Sequence, residues 1–195
     1  MKTIAWDVDD VLNDLMRTWL ESAWRPDHPG CALGYEQLSE NPPHRLLGAS
    51  RAEYLASLDA FRLSPSGRDL PPLDAVLAWF QRYGHEARHV AVTAVPLRAA
   101  PESAAWVMRH FGRWIRSYHV IPSARADEGL PAYDSSKGEL LRSLGPVDGL
   151  VDDQPQNLES ARNAGIPAVL FPRPWNDAPA DVQETFDVVT QWARG

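Results

Sequence analysis

Three carboxylates stand within four positions near the start of the chain: Asp7, Asp9 and Asp10. They follow Thr3 to Trp6, a β-prone and mostly apolar run that suits a buried central strand. Like charges a few ångströms apart repel and disfavour joint ionisation. A divalent cation removes that cost and becomes the largest local charge. Asp7 and Asp9 straddle one residue, so on a continued strand both point to one face. One could then act as a nucleophile or metal ligand and the other as an acid/base. The same run also reads as a strand followed by an Asp-rich turn, with Asp10 capping a helix that starts near Val11.

Further candidates lie downstream. Thr93 follows the apolar run His89 to Val92, Lys137 opens a helical pattern, and Asp152-Asp153 follows Gly149-Leu150-Val151. Lysine is rare: Lys2 and Lys137 stand against 17 arginines, which marks Lys137 as a place that needs a compact ammonium or as drift in an Arg-biased chain. Each has a plainer reading. Thr93 is β-prone in any case. A lysine in a first helical turn is usually solvated, although the helix dipole disfavours it there. Asp152-Asp153 before Gln154-Pro155 could be a turn or cap, and Asn157 is read as the cap of the helix it precedes. The histidines and Cys31 show no paired zinc spacing.

The elements that must position these residues alternate. Helical patterns run from Val11 to Trp24, stopped by Pro26 and Pro29, and from Arg51 to about Phe61, opened by a Ser50/Glu53 capping box. Short helical pieces are expected at Tyr35 to Glu40 and Arg45 to Leu47, and Ser64-Pro65-Ser66-Gly67 is read as a break. No sheet-forming run occurs between Asn13 and Pro72, so this segment reads as a helical insertion. Beyond it the pattern is regular. Helices are expected at Leu73–Tyr83, Pro101–Phe111, Ser135–Leu144, Leu158–Ala164 and Asp181–Ala193. Strands are expected at His89–Val95, Ser117–Ile121, Gly149–Asp153 and Ala168–Phe171. Such alternation suits right-handed βαβ crossovers and an α/β domain with a parallel sheet. The core is assigned to residues 1–12 and 73–195, and a helical cap to 13–72. In open parallel sheets ligands bind beyond the carboxyl ends of the strands, which is where Asp7/Asp9, Thr93 and Asp152/Asp153 fall.

The bulk properties set bounds. At 195 residues and 44% hydrophobic content the chain can bury a sizeable core. Its net charge of −7, with no long basic run, argues against a nucleic-acid polymer as partner. One cysteine permits no internal disulfide. No signal peptide and no apolar stretch of about 18 residues is evident, so a cytoplasmic location and no membrane partner are expected. A homodimer is compatible with all of this.

The ordered set Asp7-x-Asp9, Thr93, Lys137 and Asp152-Asp153 on alternating strands and helices resembles the haloacid dehalogenase (HAD) superfamily. Within it, Val92-Thr93-Ala94, Val151-Asp152-Asp153-Gln154-Pro155-Gln156-Asn157 and Arg173-Pro174-Trp175-Asn176 resemble the 5'(3')-deoxyribonucleotidase-like branch. Many members of that branch have Gly where this chain has Asp10. The resemblance implies a three-layer, Rossmann-like parallel sheet with a small type 1 cap inserted after the first strand. It implies that Asp7 attacks phosphorus, that Asp9 serves as acid then base in surroundings suited to a protonated acid, and that Thr93, Ala94 and Lys137 bind the phosphoryl group. Asp7, the backbone carbonyl of Asp9, and Asp153 supported by Asp152 would hold Mg²⁺, which all-oxygen ligands suit better than Zn²⁺. An acid at position 9 favours phosphoryl transfer over dehalogenation, and the absence of lysine from residues 13–72 removes Schiff-base chemistry from the cap. The expected activity is a Mg²⁺-dependent phosphomonoesterase on a small phosphate ester, with a nucleoside monophosphate leading. A phosphatase or mutase for another ester, and a non-catalytic phosphate-binding module, are the alternatives. Removing Lys137 is expected to slow turnover severely and leave the fold intact. The cap offers Trp19, Trp24, Tyr35, Tyr54 and Phe61 for stacking, or as cap core, and Arg17, Arg25, Arg45, Arg51, Arg62 and Arg68 for a second anion, or as solvated charges.

Overall fold

β1 (Thr3–Trp6) is the middle strand of a five-stranded parallel sheet. β2 (Arg88–Val95) and β3 (Ile115–Pro122) lie to one side of it, and β4 (Gly149–Asp152) and β5 (Ala168–Leu170) to the other. The computed structural model describes residues 1–123, 125, 129–131 and 133–195.

After β1 the chain builds a helical cap. α1 (Leu15–Trp19) runs through a π-helical turn, Leu20–Trp24, into α2 (Arg25–Asp27). The helix starts four residues later than the apolar periodicity suggests. Asp10 sits at φ +62°, and the Asn13 side chain accepts the backbone N–H groups of Asp10 and Leu15 at 3.2 and 3.1 Å, so residues 10–13 form a turn. Pro26 is taken into the last turn rather than ending the helix before it. α3 (Arg51–Leu63) begins at the expected cap, with Ser50 Oγ accepting Glu53 N–H. The expected break at Ser64–Gly67 is a short helix, α4 (Pro65–Arg68), because Ser64 caps it and Pro65 suits a first helical position. Leu73 N–H bonds Leu12 O at 2.9 Å and Asn13 bridges Pro72, so the chain leaves the cap beside its point of entry.

Helices cover both faces of the sheet. Side chains alternate along a strand, so Ile4 and Trp6 pack with α5 (Asp74–Tyr83), α6 (Ala100–Phe111) and α9 (Val182–Arg194). Ala5 packs on the opposite face with α7 (Lys137–Ser143) and α8 (Pro155–Asn163). Trp6 anchors the first layer. Its ring lies 5.2 Å from Trp79 and 4.8 Å from Phe80, and its indole N–H donates to His89 Nδ1 at 3.0 Å. That bond puts the His89 proton on Nε2, which donates to Gly84 O, and burial lowers the imidazole pKa to about 4. The cap has a separate core built from Trp19, Trp24, Tyr35, Tyr54 and Phe61 with neighbouring leucines, and Trp175 from the loop after β5 joins it. Four of those five cap aromatics are therefore packing residues, and only Tyr54 also lines the pocket described below.

Candidate active site

The acids and the lysine meet at the carboxyl ends of the strands. Asp7 follows β1, and its N–H bonds Val151 O at 2.9 Å, continuing the sheet ladder by one residue. Asp7 Oδ1 accepts Val8 N–H at 2.8 Å and lies 2.8 Å from Lys137 Nζ. Lys137 arrives from the first turn of α7, which Ser136 caps through Glu139 N–H. Its neighbour Gly138 packs so close to α8 that a Cβ there would lie 2.1 Å from the Ser160 carbonyl oxygen. Glycine thus lets α7 settle deep enough for Lys137 to reach the strand ends. Far from being a solvated helix-start lysine, Lys137 is 2% exposed and bridges Asp7 and Asp152, the latter at 2.6 Å. Burial works against its charge, but the carboxylates of Asp152 and Asp7 outweigh burial and raise the ammonium's pKa.

Asp152 ends β4 and is fully buried. Its Oδ1 accepts Gln154 N–H and Asn157 Nδ2, each at 2.9 Å, while Oδ2 takes Lys137. Asn157 therefore does not cap a helix. It lies inside α8, which starts at Pro155, three residues before the expected Leu158, and turns its amide onto the acid. Asp153 Oδ2 accepts Gln154 Nε2 at 2.6 Å and Trp175 Nε1 at 2.8 Å. Asp7, Asp152 and Asp153 each offer a carboxylate oxygen, and these atoms all lie within 4.8 Å of one another. All three are buried, an oxygen-rich arrangement that fits a hard cation. Of the three, Asp152 has its oxygens taken up by three donors and is best placed as a support for Lys137 and the loop.

Burial, with the repulsion of Asp152, pushes Asp153 up to about 8, and Asp7 is also raised well above the ordinary range by burial first. A raised carboxyl pKa means that the folded protein binds protons that the unfolded chain has released. Metal-free protein is therefore expected to lose stability as pH rises from about 4 through 8. Thermal unfolding at pH 5 and pH 8 checks this: the melting temperature should fall towards pH 8 without a divalent cation, and added Mg²⁺ should restore more of it at pH 8 than at pH 5.

Asp9 is placed differently. Its carboxylate turns towards the cap, where Arg62 of α3 meets Oδ2 through Nη2 at 2.8 Å and Nε at 3.3 Å, and Asn13 Nδ2 reaches Oδ1 at 3.4 Å. The expectation of surroundings suited to a protonated acid thus meets a guanidinium as nearest partner. Among the described residues, the Asp9 carboxylate is outside the three-acid group. Thr93 lies within β2, inside the expected strand His89–Val95, paired with Val120 and 1% exposed. Asp7, Asp9, Thr93, Ala94, Lys137 and Asp153 nevertheless line one pocket of about 240 Å³, with Arg51, Tyr54 and Arg62 lining it from the cap. The cap–core seam beside it is tied by Asp59 of α3, which Arg125 grips at 2.7 and 2.9 Å and Arg98 meets at 3.0 Å. Arg17 is spent on Asp14 and Glu36, and Arg68 on Glu102.

Asp10 has a local role. Its positive φ is a conformation that Gly adopts freely and Asp tolerates. Its Oδ1 accepts Met16 N–H at 2.9 Å, so it does cap α1, from six residues away. Burial raises its carboxyl pKa to about 7. The loop Arg173–Asn176, visible in the sequence only as a motif, supports the acids: Trp175 holds Asp153, and Asn176 Nδ2 donates to the Asp153 carbonyl at 2.8 Å.

No protein-family model and no curated protein matches this sequence. Solved structures do. A hydrolase from Streptococcus pneumoniae TIGR4 has a TM-score of 0.60 at 11% identity, over 96% of this chain and 100% of its own. A HAD-superfamily hydrolase of subfamily IA, variant 1, from Geobacter sulfurreducens PCA has a TM-score of 0.56 at 17% identity, over 97% and 96%. A 2-haloacid dehalogenase from Pseudomonas syringae pv. Tomato DC3000 has a TM-score of 0.53 at 15% identity, over 98% and 99%. At such identities the likeness is one of architecture. The chain has the HAD-type fold, a Rossmann-like parallel sheet between two helical layers, with a helical cap inserted after the first strand.

Proposed function

We propose that this protein is a Mg²⁺-dependent phosphomonoesterase that works through an aspartyl-phosphate on Asp7, with residues 13–72 as the cap over its site. One observation carries the reading: Lys137 Nζ lies 2.8 Å from Asp7 and 2.6 Å from Asp152, in a pocket shared with Asp9, Thr93 and Asp153. A fold found in hydrolases supports it by analogy only.

The site's own residues suit the attack and the holding of the phosphoryl group, and Asp9 is free to act as an acid once its ion pair with Arg62 opens. Lys137 and Val8 N–H occupy Oδ1 of Asp7, which leaves Oδ2 to attack phosphorus. The Asp7–phosphorus bond forms as the ester P–O bond breaks, and Asp9 gives its proton to the departing oxygen. In the second half, Asp9 takes a proton from water as that water attacks phosphorus. Phosphate leaves and the Asp7 carboxylate returns. Thr93, the Ala94 N–H and Lys137 hold the phosphoryl oxygens. Asp7, Asp153 and the Asp9 carbonyl would hold Mg²⁺, with Asp152 in support. Bound there, the cation offsets the charge of the crowded acids and of the transferred group.

A nucleoside monophosphate is the leading substrate class, with the Tyr54 ring and the Asn41 side chain as the pocket groups available to a base. The pocket volume of about 240 Å³ favours a second reading, a smaller phosphate ester, since it falls under the roughly 300 Å³ where sites for drug-sized ligands begin. A panel of phosphate esters, assayed for released phosphate with Mg²⁺ and with chelator, tests the proposal. Hydrolysis that requires Mg²⁺ is the expected result. Phosphate-ester binding without turnover across the panel would instead favour a non-catalytic module.

A further inference from the structure

One loop touches both the cap and the acids, and no step above uses it. Arg173 fastens the entry to the cap: Nε donates to Asp10 O at 2.6 Å, Nη2 to Asn13 O at 3.2 Å, and Nη1 to Asp14 Oδ1 at 2.9 Å and Tyr35 OH at 3.1 Å. Two residues on, Trp175 belongs to two structures at once. Its ring is buried in the cap's hydrophobic core, edge-on to Tyr35 at 6.0 Å. Its indole N–H donates to Asp153 Oδ2 at 2.8 Å, across 22 residues of sequence. Gln154 Nε2 donates to the same oxygen at 2.6 Å. Among the described residues, Asp153 Oδ1 accepts no hydrogen bond. The carboxylate is thus held by one oxygen and offers the other.

We propose that Trp175 is a positioning residue for Asp153 and makes the site's divalent-cation affinity depend on the packing of the cap core. The inference rests on the metal reading given above. A carboxylate free to rotate loses entropy on binding a cation, whereas one already oriented by a donor loses less. Partners behind a metal ligand typically set affinity by about 10- to 100-fold. An indole anchored by its ring is a rigid donor, because apolar packing fixes the plane that carries the N–H. Anything that shifts the cap core at Tyr35 would move that donor and so loosen Asp153. The cap then sets the strength of cation binding as well as covering the pocket.

Trp175→Phe tests this, since it keeps an aromatic ring in the cap core and removes only the N–H. Calorimetric titration of metal-free full-length protein with Mg²⁺ should show affinity about 10- to 100-fold weaker than wild type. The melting temperature of the metal-free variant should stay within a few degrees of wild type. At saturating Mg²⁺ the KM for a phosphate ester should be unchanged, which a general structural defect would not leave intact. Gln154→Ala removes the second donor from the same oxygen at a half-exposed position, and it is expected to weaken Mg²⁺ in the same way whether or not Trp175→Phe folds. Wild-type Mg²⁺ affinity in folded Trp175→Phe, or in Gln154→Ala should the first variant not fold, overturns the inference while leaving the phosphatase reading standing. Absence of Mg²⁺ binding by the wild-type protein overturns the metal reading and this inference together.

Discussion

Replacing Lys137 with alanine should cost turnover and stability together. The ammonium is the group between Asp7 and Asp152, at 2.8 and 2.6 Å, and its side chain is 1% exposed. Removing one partner from a buried ion pair leaves the other charge uncompensated, at a cost of about 3–5 kcal/mol. The sequence expectation of a rate defect with an intact fold therefore needs revision: burial ties the two effects together. Loss of one preorganised cationic group facing a transferred phosphoryl should lower kcat on the order of 10²- to 10³-fold. Lys137→Arg should not rescue it, because a planar guanidinium does not fit a compact site built for one nitrogen. Denaturant unfolding and steady-state assays of both variants check the two parts separately. Added Mg²⁺ should recover part of the lost stability, because the cation takes over charge compensation, and should not recover the rate.

Asp7→Asn carries the largest expected loss of rate. The amide keeps the shape of the side chain, and its carbonyl oxygen can still accept from Lys137 and Val8 N–H in the place of Oδ1. It cannot form the acyl phosphate. Removing a covalent nucleophile typically costs on the order of 10⁴- to 10⁶-fold in kcat. Because Lys137 keeps its second carboxylate partner, Asp152 at 2.6 Å, the neutral amide should be tolerated, with the fold retained. Phosphate release by purified Asp7→Asn should sit at the level of the assay blank, with near-wild-type circular dichroism.

What could be read from the sequence, and what could not, divides along physical lines. The switch from apolar run to acids at residues 6–7 and 151–152 was legible because a buried strand and a cluster of carboxylates differ so sharply in composition. Lys137 stood out because lysine is so scarce in this chain. Arg62 could not be told from five other cap arginines, since its burial against Asp9 is a tertiary fact. Asn157 looked like a cap because it precedes an apolar helical run. The helix in fact begins at Pro155, and that phase turns the Asn157 amide towards Asp152. The start of α1 differs from the apolar periodicity for a similar reason: periodicity marks Val11 and Leu12 as core-facing, and they are, but a positive φ at Asp10 puts them in a turn. Trp175 and Asn176 were visible as a motif, yet their work on Asp153 depends on a contact 22 or 23 residues away.

The central claim is that the phosphoryl group passes through Asp7. Rapid acid quench of the Asp9→Asn variant during turnover of an aryl phosphate, whose leaving group departs without a proton, followed by peptide mass spectrometry, tests it most directly, because only the base for water attack is then missing and the intermediate should accumulate. Phosphate should be found on the peptide carrying Asp7, and it should vanish when Asp7→Asn is added. Steady hydrolysis with the label on another residue, or turnover undiminished in Asp7→Asn, would contradict the account.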